Sequence, residues 1–427
     1  MFNRIKNLFF LNKLDFCGDH EYLNKNDILN IKNLISKEDY ALIEKFEKKF
    51  SKLIGNGNAI SYGSGRMGLY EILNYLKIKK GDEIIINSGT CSVMVNAILK
   101  FKAKPIFSDV DTNTYGSSSS NILKKITKKT KLIIAQHSFG IPCEIKKISS
   151  ISKKKKIFLL EDCALSLSSK VNKTTLGNFG NASLFSTDHS KPINTFCGGL
   201  IYSKNQKLIN YLKINKKNMQ ELNLFKKKNM FAYILFRRKL HASKFLLKKI
   251  YINFLFRIGI KLCNKNPYLN GDYYAKSLIQ DYPYPCKFPS FLAYIGILEI
   301  KKWQTTLKKR KKIFKYFINN LAPKYPFLKK KIRLYNHVSQ EIIPLRLVWH
   351  DPNSKIILKK LSNLIDISNI WFKKPIEATN KNLRSFNYKM KTCKNSEMIG
   401  PMMINLPCNI NYIEAKKITN ILLNNEK

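Results

Sequence analysis

The chain has 427 residues, enough for two domains and an insertion, and its 44% hydrophobic content excludes wholesale disorder. It carries 77 Lys+Arg against 28 Asp+Glu, a formal net charge of +49, which admits nucleic acid, an anionic membrane surface or anionic substrates as partners. Only nine of these cations are arginine, and the lysines run the whole length among many Asn and Ile residues. That is the pattern of AT-rich codon bias; nucleic-acid readers cluster arginine at base edges, so no nucleic-acid partner is expected.

The basic start, residues 1–16, holds a short apolar run at Leu8-Phe9-Phe10-Leu11, too short for a signal peptide, and no stretch elsewhere is long enough to span a bilayer. Nine scattered cysteines form no C-x-x-C pair, so neither a metal site nor a disulfide framework is suggested, and a reducing cytoplasm is the expected location. From about residue 57, short apolar runs alternate with amphipathic ones. Strands are predicted at 84–86, 105–107, 132–135, 157–160, 182–185, 200–202 and 403–406, with helices over 67–76 and 93–101. The second helix follows the turn 88–92, which offers an N-capping residue. Such alternation predicts an α/β fold around a mostly parallel sheet covered on both faces.

Residues 205–270 break the rhythm, being Lys-rich and apolar together, and read as one or two amphipathic helices. They suit an arm packed on the domain or on a second subunit, with peripheral membrane contact through 228–260 as the alternative. From Ala293 a long helix carrying Trp303 and Arg310 leads into a second α/β region ending near Leu423.

Three short features carry chemistry. Tyr62-Gly63-Ser64-Gly65-Arg66 precedes a helix, where free N–H groups and glycines form a phosphate cradle. Glu161-Asp162 ends a strand, at the edge where open α/β sheets bind ligands. A buried carboxylate there can hold a pyridine nitrogen protonated, although a helix cap or a surface ion pair would also explain it. Phe185-Ser186-Thr187-Asp188-His189-Ser190-Lys191, followed by Cys197-Gly198-Gly199, places a lysine in a hydroxyl-rich loop just past a strand, where it can form a Schiff base with an aldehyde cofactor.

Each feature alone is common; their order and spacing are not. With Lys80-Gly81-Asp82-Glu83-Ile84, the run Lys104 to Asp111, His137-Ser138-Phe139-Gly140-Ile141-Pro142, Glu161-Asp162-Cys163-Ala164, Cys393-Lys394-Asn395-Ser396-Glu397 and Ile404-Asn405-Leu406-Pro407, the chain resembles the DegT/DnrJ/StrS family of sugar aminotransferases over most of its length. The resemblance implies a fold-type-I transferase with pyridoxal 5'-phosphate as cofactor, a seven-stranded large domain and a smaller C-terminal α/β domain, assembled as a homodimer. The expected divisions are an N-terminal arm (1–50), a cofactor-binding domain (51–204), a basic helical segment (205–290) and a small domain (291–427). It implies Lys191 as the cofactor-carrying catalytic lysine, Asp162 as partner of the pyridine nitrogen, and Ser186 with Ser64, Gly65 and Arg66 as phosphate ligands. His189 and Cys91 are candidate substrate contacts.

The chain departs from the family in places. Leu165 stands where Gln is common, Cys91 where an aromatic often stacks on the ring, Arg66 where Thr is usual, and Pro285 and Lys287 where Asn and Arg are usual. The implied reaction moves an amino group from an amino-acid donor, L-glutamate being expected, to a nucleotide-linked keto-deoxysugar for surface polysaccharide. Two alternatives stay open: a sugar dehydratase of the same fold, in which His replaces the lysine, and a basic regulatory protein on this scaffold. The sequence leaves the sugar, the nucleotide, the carbon aminated and the stereochemistry open.

Overall fold

Apolar runs of strand length between amphipathic helices bury both faces only when the strands lie side by side under two helical layers. In the computed structural model, which describes residues 13–243, 245–263, 266–269, 282–379 and 382–424, seven strands do this. They are β1 (Asn58–Tyr62), β2 (Glu83–Asn87), β3 (Lys104–Ser108), β4 (Thr130–Gln136), β5 (Phe158–Asp162), β6 (Ala182–Ser186) and β7 (Gly199–Ser203). Their order is β1-β7-β6-β5-β4-β2-β3. Within this sheet β7 alone runs against its neighbours, antiparallel to β1 and β6, while the remaining pairs are parallel. The expected mostly parallel seven-stranded sheet is therefore present. β1 escapes the hydropathy pattern because Asn58 and Ser61 interrupt it, yet it is buried from Ala59 onward.

Helices α1 (Lys25–Ser36) and α2 (Tyr40–Ser51) start at Asn24 and Asp39, whose side chains accept the N–H groups of Asp27 and Leu42. α3 (Gly65–Tyr75), α4 (Ser92–Lys100) and α5 (Ile145–Lys155) cover the sheet. The expected side-chain cap on α4 does not form. Cys91 is the N-cap, and Ser92 lies inside the helix, its hydroxyl donating to Ala378 O at 3.2 Å. The described residues of 205–270 form three helices rather than one or two: α6 (Gln206–Asn218), α7 (Leu224–Ala242) and α8 (Leu246–Cys263). α7 packs against α1 and α8.

α9 (Ser290–Leu321) is 32 residues long. Its first turns bury Phe291, Leu292 and Ile295 in the core around the sheet, and its last turns bury Ile313, Phe317 and Leu321 in a second core. That second core is built on β8 (Arg346–His350), α10 (Ser354–Leu361), α11 (Lys394–Ile399), β9 (Met403–Pro407) and α12 (Tyr412–Leu423). β8 and β9 form a two-stranded antiparallel sheet of their own. The two cores are tied where Asp109, just past β3, accepts the N–H groups of Asn395 (2.7 Å) and Ser396 (3.0 Å) at the start of α11. Two of the sequence stretches that carry the family resemblance thus meet in space. Among the described residues no helix is long and apolar enough to cross a membrane.

Candidate active site

The carboxyl ends of β5 and β6 open into a cavity of about 540 Å³, the position at which open α/β sheets bind ligands. Ser64, Gly65 and Arg66 border it from the start of α3, and Cys91 from the start of α4. Asp162, Ser186, His189 and Lys191 border it from the strand ends. The cavity thus gathers all eight residues singled out in the sequence, together with Leu165. Pro285 and Lys287 are not part of this lining; Lys287 instead donates its N–H to Gln220 O at 3.0 Å.

The α3 end is suited to an anion. Ser64 sits at the N-cap without the usual side-chain cap bond, and its buried hydroxyl has no hydrogen-bond partner among the described residues. A buried orphan hydroxyl is costly unless a ligand completes it. Glycines make the approach possible: a Cβ on Gly199 would lie 2.3 Å from the Cα and N of Gly65. Gly198, at φ +130°, would press one against Phe288 at 2.5 Å and Thr187 Oγ1 at 2.6 Å. Gly199 is therefore required by the contact between β7 and the first turn of α3, and Gly198 by its left-handed backbone beside Phe288 and Thr187. These features fit the phosphate of pyridoxal phosphate.

At the end of β5, strand alternation separates two adjacent carboxylates. Glu161 turns away from the cavity and accepts N–H groups from Gly177 (2.9 Å), Phe179 (2.6 Å) and Gly180 (2.8 Å), with His137 Nε2 at 3.2 Å. It organises the loop that leads into β6. Asp162 faces the cavity, its Oδ1 accepting only the Ala164 N–H (3.0 Å) among the bonds described for that carboxylate. Burial raises its pKa, against the opposing pull of that N–H and of Lys191.

Lys191 rides on the loop from Thr187 to Gly198. That loop is closed at its base by Thr187 N–H to Gly198 O (3.0 Å), Thr195 N–H to Thr187 O (2.8 Å) and the Thr195 hydroxyl to Cys197 O (2.6 Å). The Lys191 N–H donates to Asp188 O (3.0 Å), and its Nζ lies 6.0 Å from the Trp371 ring centroid. Burial lowers the amine's pKa, and the carboxylates of Asp188 and Asp162 only partly restore it. The Cys91 thiol is pushed up by burial to about 11, so it is neutral.

His189 Nδ1 is ion-paired with Asp188. Burial would raise the Asp188 carboxyl, but His189 and Lys191 outweigh it and hold the group at about 2. Burial likewise opposes protonation of His189, and Asp188 with Cys17 outweighs it, raising the imidazole well above 6.5. A carboxylate depressed on folding contributes stability above its ordinary 3.8 and loses it as the pH falls toward 2. An imidazole raised on folding contributes below 6.5 and loses it as the pH climbs through the raised value. Asp188→Asn should therefore lower the urea midpoint most between about pH 4 and 6.5, with a smaller deficit in alkali. A deficit independent of pH would show that the pair contributes no charge interaction.

Arg346, Trp371 and the segment around Phe16 and Cys17 complete the cavity, and none of them was anticipated. Arg346 leaves β8 with its guanidinium 3.8 Å from the Phe16 ring centroid, donating to Asn369 O (2.8 Å) and Asn405 Oδ1 (3.0 Å). Burial brings its pKa down to about 10, which leaves it a cation at neutral pH. Composition did hold one signal. In a chain that uses lysine almost everywhere, Arg66, Arg310 and Arg346 are three of only nine arginines, and all three are buried with hydrogen-bond partners.

Residues 21–233 match the model of the DegT/DnrJ/EryC1/StrS aminotransferase family. The chain belongs to this family. A GDP-perosamine synthase of Escherichia coli O157:H7 is 37% identical over 190 residues, 44% of this chain and 51% of that protein. The chain thus spans about half the length of the curated relatives it matches. Two solved structures share the fold of this DegT-family chain. An aminotransferase from Psychrobacter cryohalolentis covers 93% of it and 96% of its own chain, with a TM-score of 0.69 at 17% identity. NtdA of Bacillus subtilis, solved with bound PMP, covers 96% and 84%, with a TM-score of 0.68 at 17% identity. The fold-type-I assignment rests on these likenesses and on the sheet order.

Proposed function

We propose that this DegT-family protein is a pyridoxal-phosphate-dependent aminotransferase that moves an amino group from L-glutamate to a nucleotide-linked keto-deoxysugar used for surface polysaccharide. The observation that carries the reading is the convergence of Lys191, Asp162 and the open N-terminus of α3 on one cavity, from three separate elements. Pyridoxal phosphate, when bound, supplies an electron sink for charge left on the donor's α-carbon.

The residues divide the remaining work. Ser64, Gly65, Arg66 and Ser186 hold the phosphate, through a hydroxyl and N–H groups aimed along the α3 axis. Asp162 keeps a proton on the ring nitrogen by offering a carboxylate in a dry setting. Lys191 carries the cofactor, and its lowered pKa lets the freed amine take a proton from the donor's α-carbon and return it nearby. Arg66 and Arg346, the two guanidinium groups at the cavity among the described residues, meet the donor carboxylate and the acceptor's anionic groups. The relative named as a GDP-perosamine synthase supports a nucleotide-linked sugar as acceptor.

His189 would have to replace Lys191 for the dehydratase reading, but its ring is committed to Asp188, which favours amino transfer. A homodimer in a reducing cytoplasm completes the proposal; the free thiols at Cys17, Cys91, Cys143, Cys163, Cys197, Cys393 and Cys408 support the reducing compartment. The test is the visible absorbance of the protein loaded with pyridoxal phosphate. Addition of L-glutamate should collapse the long-wavelength band with release of 2-oxoglutarate. A protein that takes up no cofactor at saturating concentration is not this enzyme.

A further inference from the structure

The residues expected as a packed arm, with membrane contact as the alternative, separate into an inner and an outer face. The inner side of α8 is engaged: Phe256 stacks on Phe236 of α7 at 4.1 Å between centroids and lies 5.4 Å from Tyr233. The outer side makes no such contact among the described residues. Leu247, Tyr251, Phe254, Leu255 and Ile258 are 81%, 62%, 59%, 49% and 36% exposed. Their spacing places all five on one helical face, a stripe about 16 Å long at the rise of an α-helix. Phe245, 74% exposed, extends it beyond the first turn.

The charge beside this stripe has a single sign. No Asp or Glu occurs from residue 222 to residue 271, and α8 itself carries Lys248, Lys249, Arg257 and Lys261. Lys248 and Arg257 are exposed next to the apolar residues. A bulky exposed apolar face on a helix that carries cations and no acid suits the headgroup layer of an anionic bilayer, where the rings enter the acyl boundary and the cations meet lipid phosphates. A second copy docked on the same face would set these cations against their own duplicates, because a two-fold interface pairs a patch with itself. We propose that α8 docks the protein on an anionic lipid surface, at a site separate from the cavity and whether or not the aminotransferase reading holds.

The experiment is co-sedimentation of the full chain with phosphatidylcholine vesicles, with and without about one-third phosphatidylglycerol. Expected is a bound fraction about ten-fold higher with the anionic lipid, falling at high salt. The variant Leu247→Ser/Phe254→Ser/Leu255→Ser should lose about ten-fold in binding while keeping its circular dichroism, Tm and oligomeric state. Lys248→Glu/Arg257→Glu, which leaves the apolar stripe intact, should lose the preference for anionic vesicles. No binding to anionic vesicles, or binding at the wild-type level by either variant, overturns the proposal. So does a triple variant that changes oligomeric state, since the face would then be a joint between copies.

Discussion

With pyridoxal phosphate supplied, Lys191→Ala should form 2-oxoglutarate from L-glutamate about 10⁴-fold more slowly than the wild type, or slower still. The size of the effect follows from the double duty proposed for the side chain, carrying the cofactor and moving the α-proton, which no other described cavity residue offers in both parts. His189 is paired with Asp188, the Cys91 thiol is neutral with a pKa of about 11, and Arg346 stays protonated. Fold stability should not suffer. The amine is held in a setting whose desolvation already lowers its pKa, so removing it takes away a buried positive charge whose benefit to the fold is small. Thermal unfolding of the two proteins without cofactor checks this half of the expectation. Turnover within a factor of ten of wild type would mean that the nucleophile lies elsewhere.

Asp162→Asn should slow turnover by about 10² to 10³-fold, the usual cost of losing one preorganised charge at a reacting centre. The amide is nearly isosteric and its oxygen can still accept the Ala164 N–H that Asp162 holds at 3.0 Å, so the loop after β5 keeps its shape. What disappears is the negative charge. The carboxylate also helps to support the pKa of Lys191, and in the variant that amine should titrate lower. A base with a lower pKa is unprotonated at lower pH, so the acid limb of the rate profile should move down. Steady-state rates measured across pH separate the two effects. A variant with wild-type rates would place the ring-nitrogen partner on another residue.

The sheet was legible because its strands are continuous apolar runs bounded by turn residues. Ile84 to Ile86 and Leu132 to Ala135 lie fully inside β2 and β4, buried on both faces. β1 and β8 were not, for opposite reasons. β1 mixes Asn58 and Ser61 into a short segment at the sheet edge, and β8 begins and ends on Arg346 and His350. The site was half legible. Ser64, Asp162, Ser186 and Lys191 stand at ends of elements whose hydrophobic pattern marks those ends. Arg346 and Trp371 come from the second core, and Phe16 from a segment held by Leu14, whose N–H donates to Leu364 O at 2.8 Å. Such contacts join residues hundreds of positions apart, and no periodicity in the chain records them. The outward face of α8 was ambiguous for a related cause: amphipathic spacing identifies an apolar side but not whether protein covers it.

α9 reaches both cores, and its connections bear on how the cavity can move. Glu299 accepts the Asn194 N–H (3.4 Å) in the Lys191 loop, while Arg310 donates to Leu345 O (3.0 Å) just ahead of the strand that carries Arg346. Those anchor points are about 16 Å apart along one unbroken rod, three turns of helix. The two cationic walls of the cavity are therefore mounted on a single strut. Widening the gap between them while both hydrogen bonds hold would bend the strut between Glu299 and Arg310. The width of the cavity and the joining of the two cores draw on the same span of backbone.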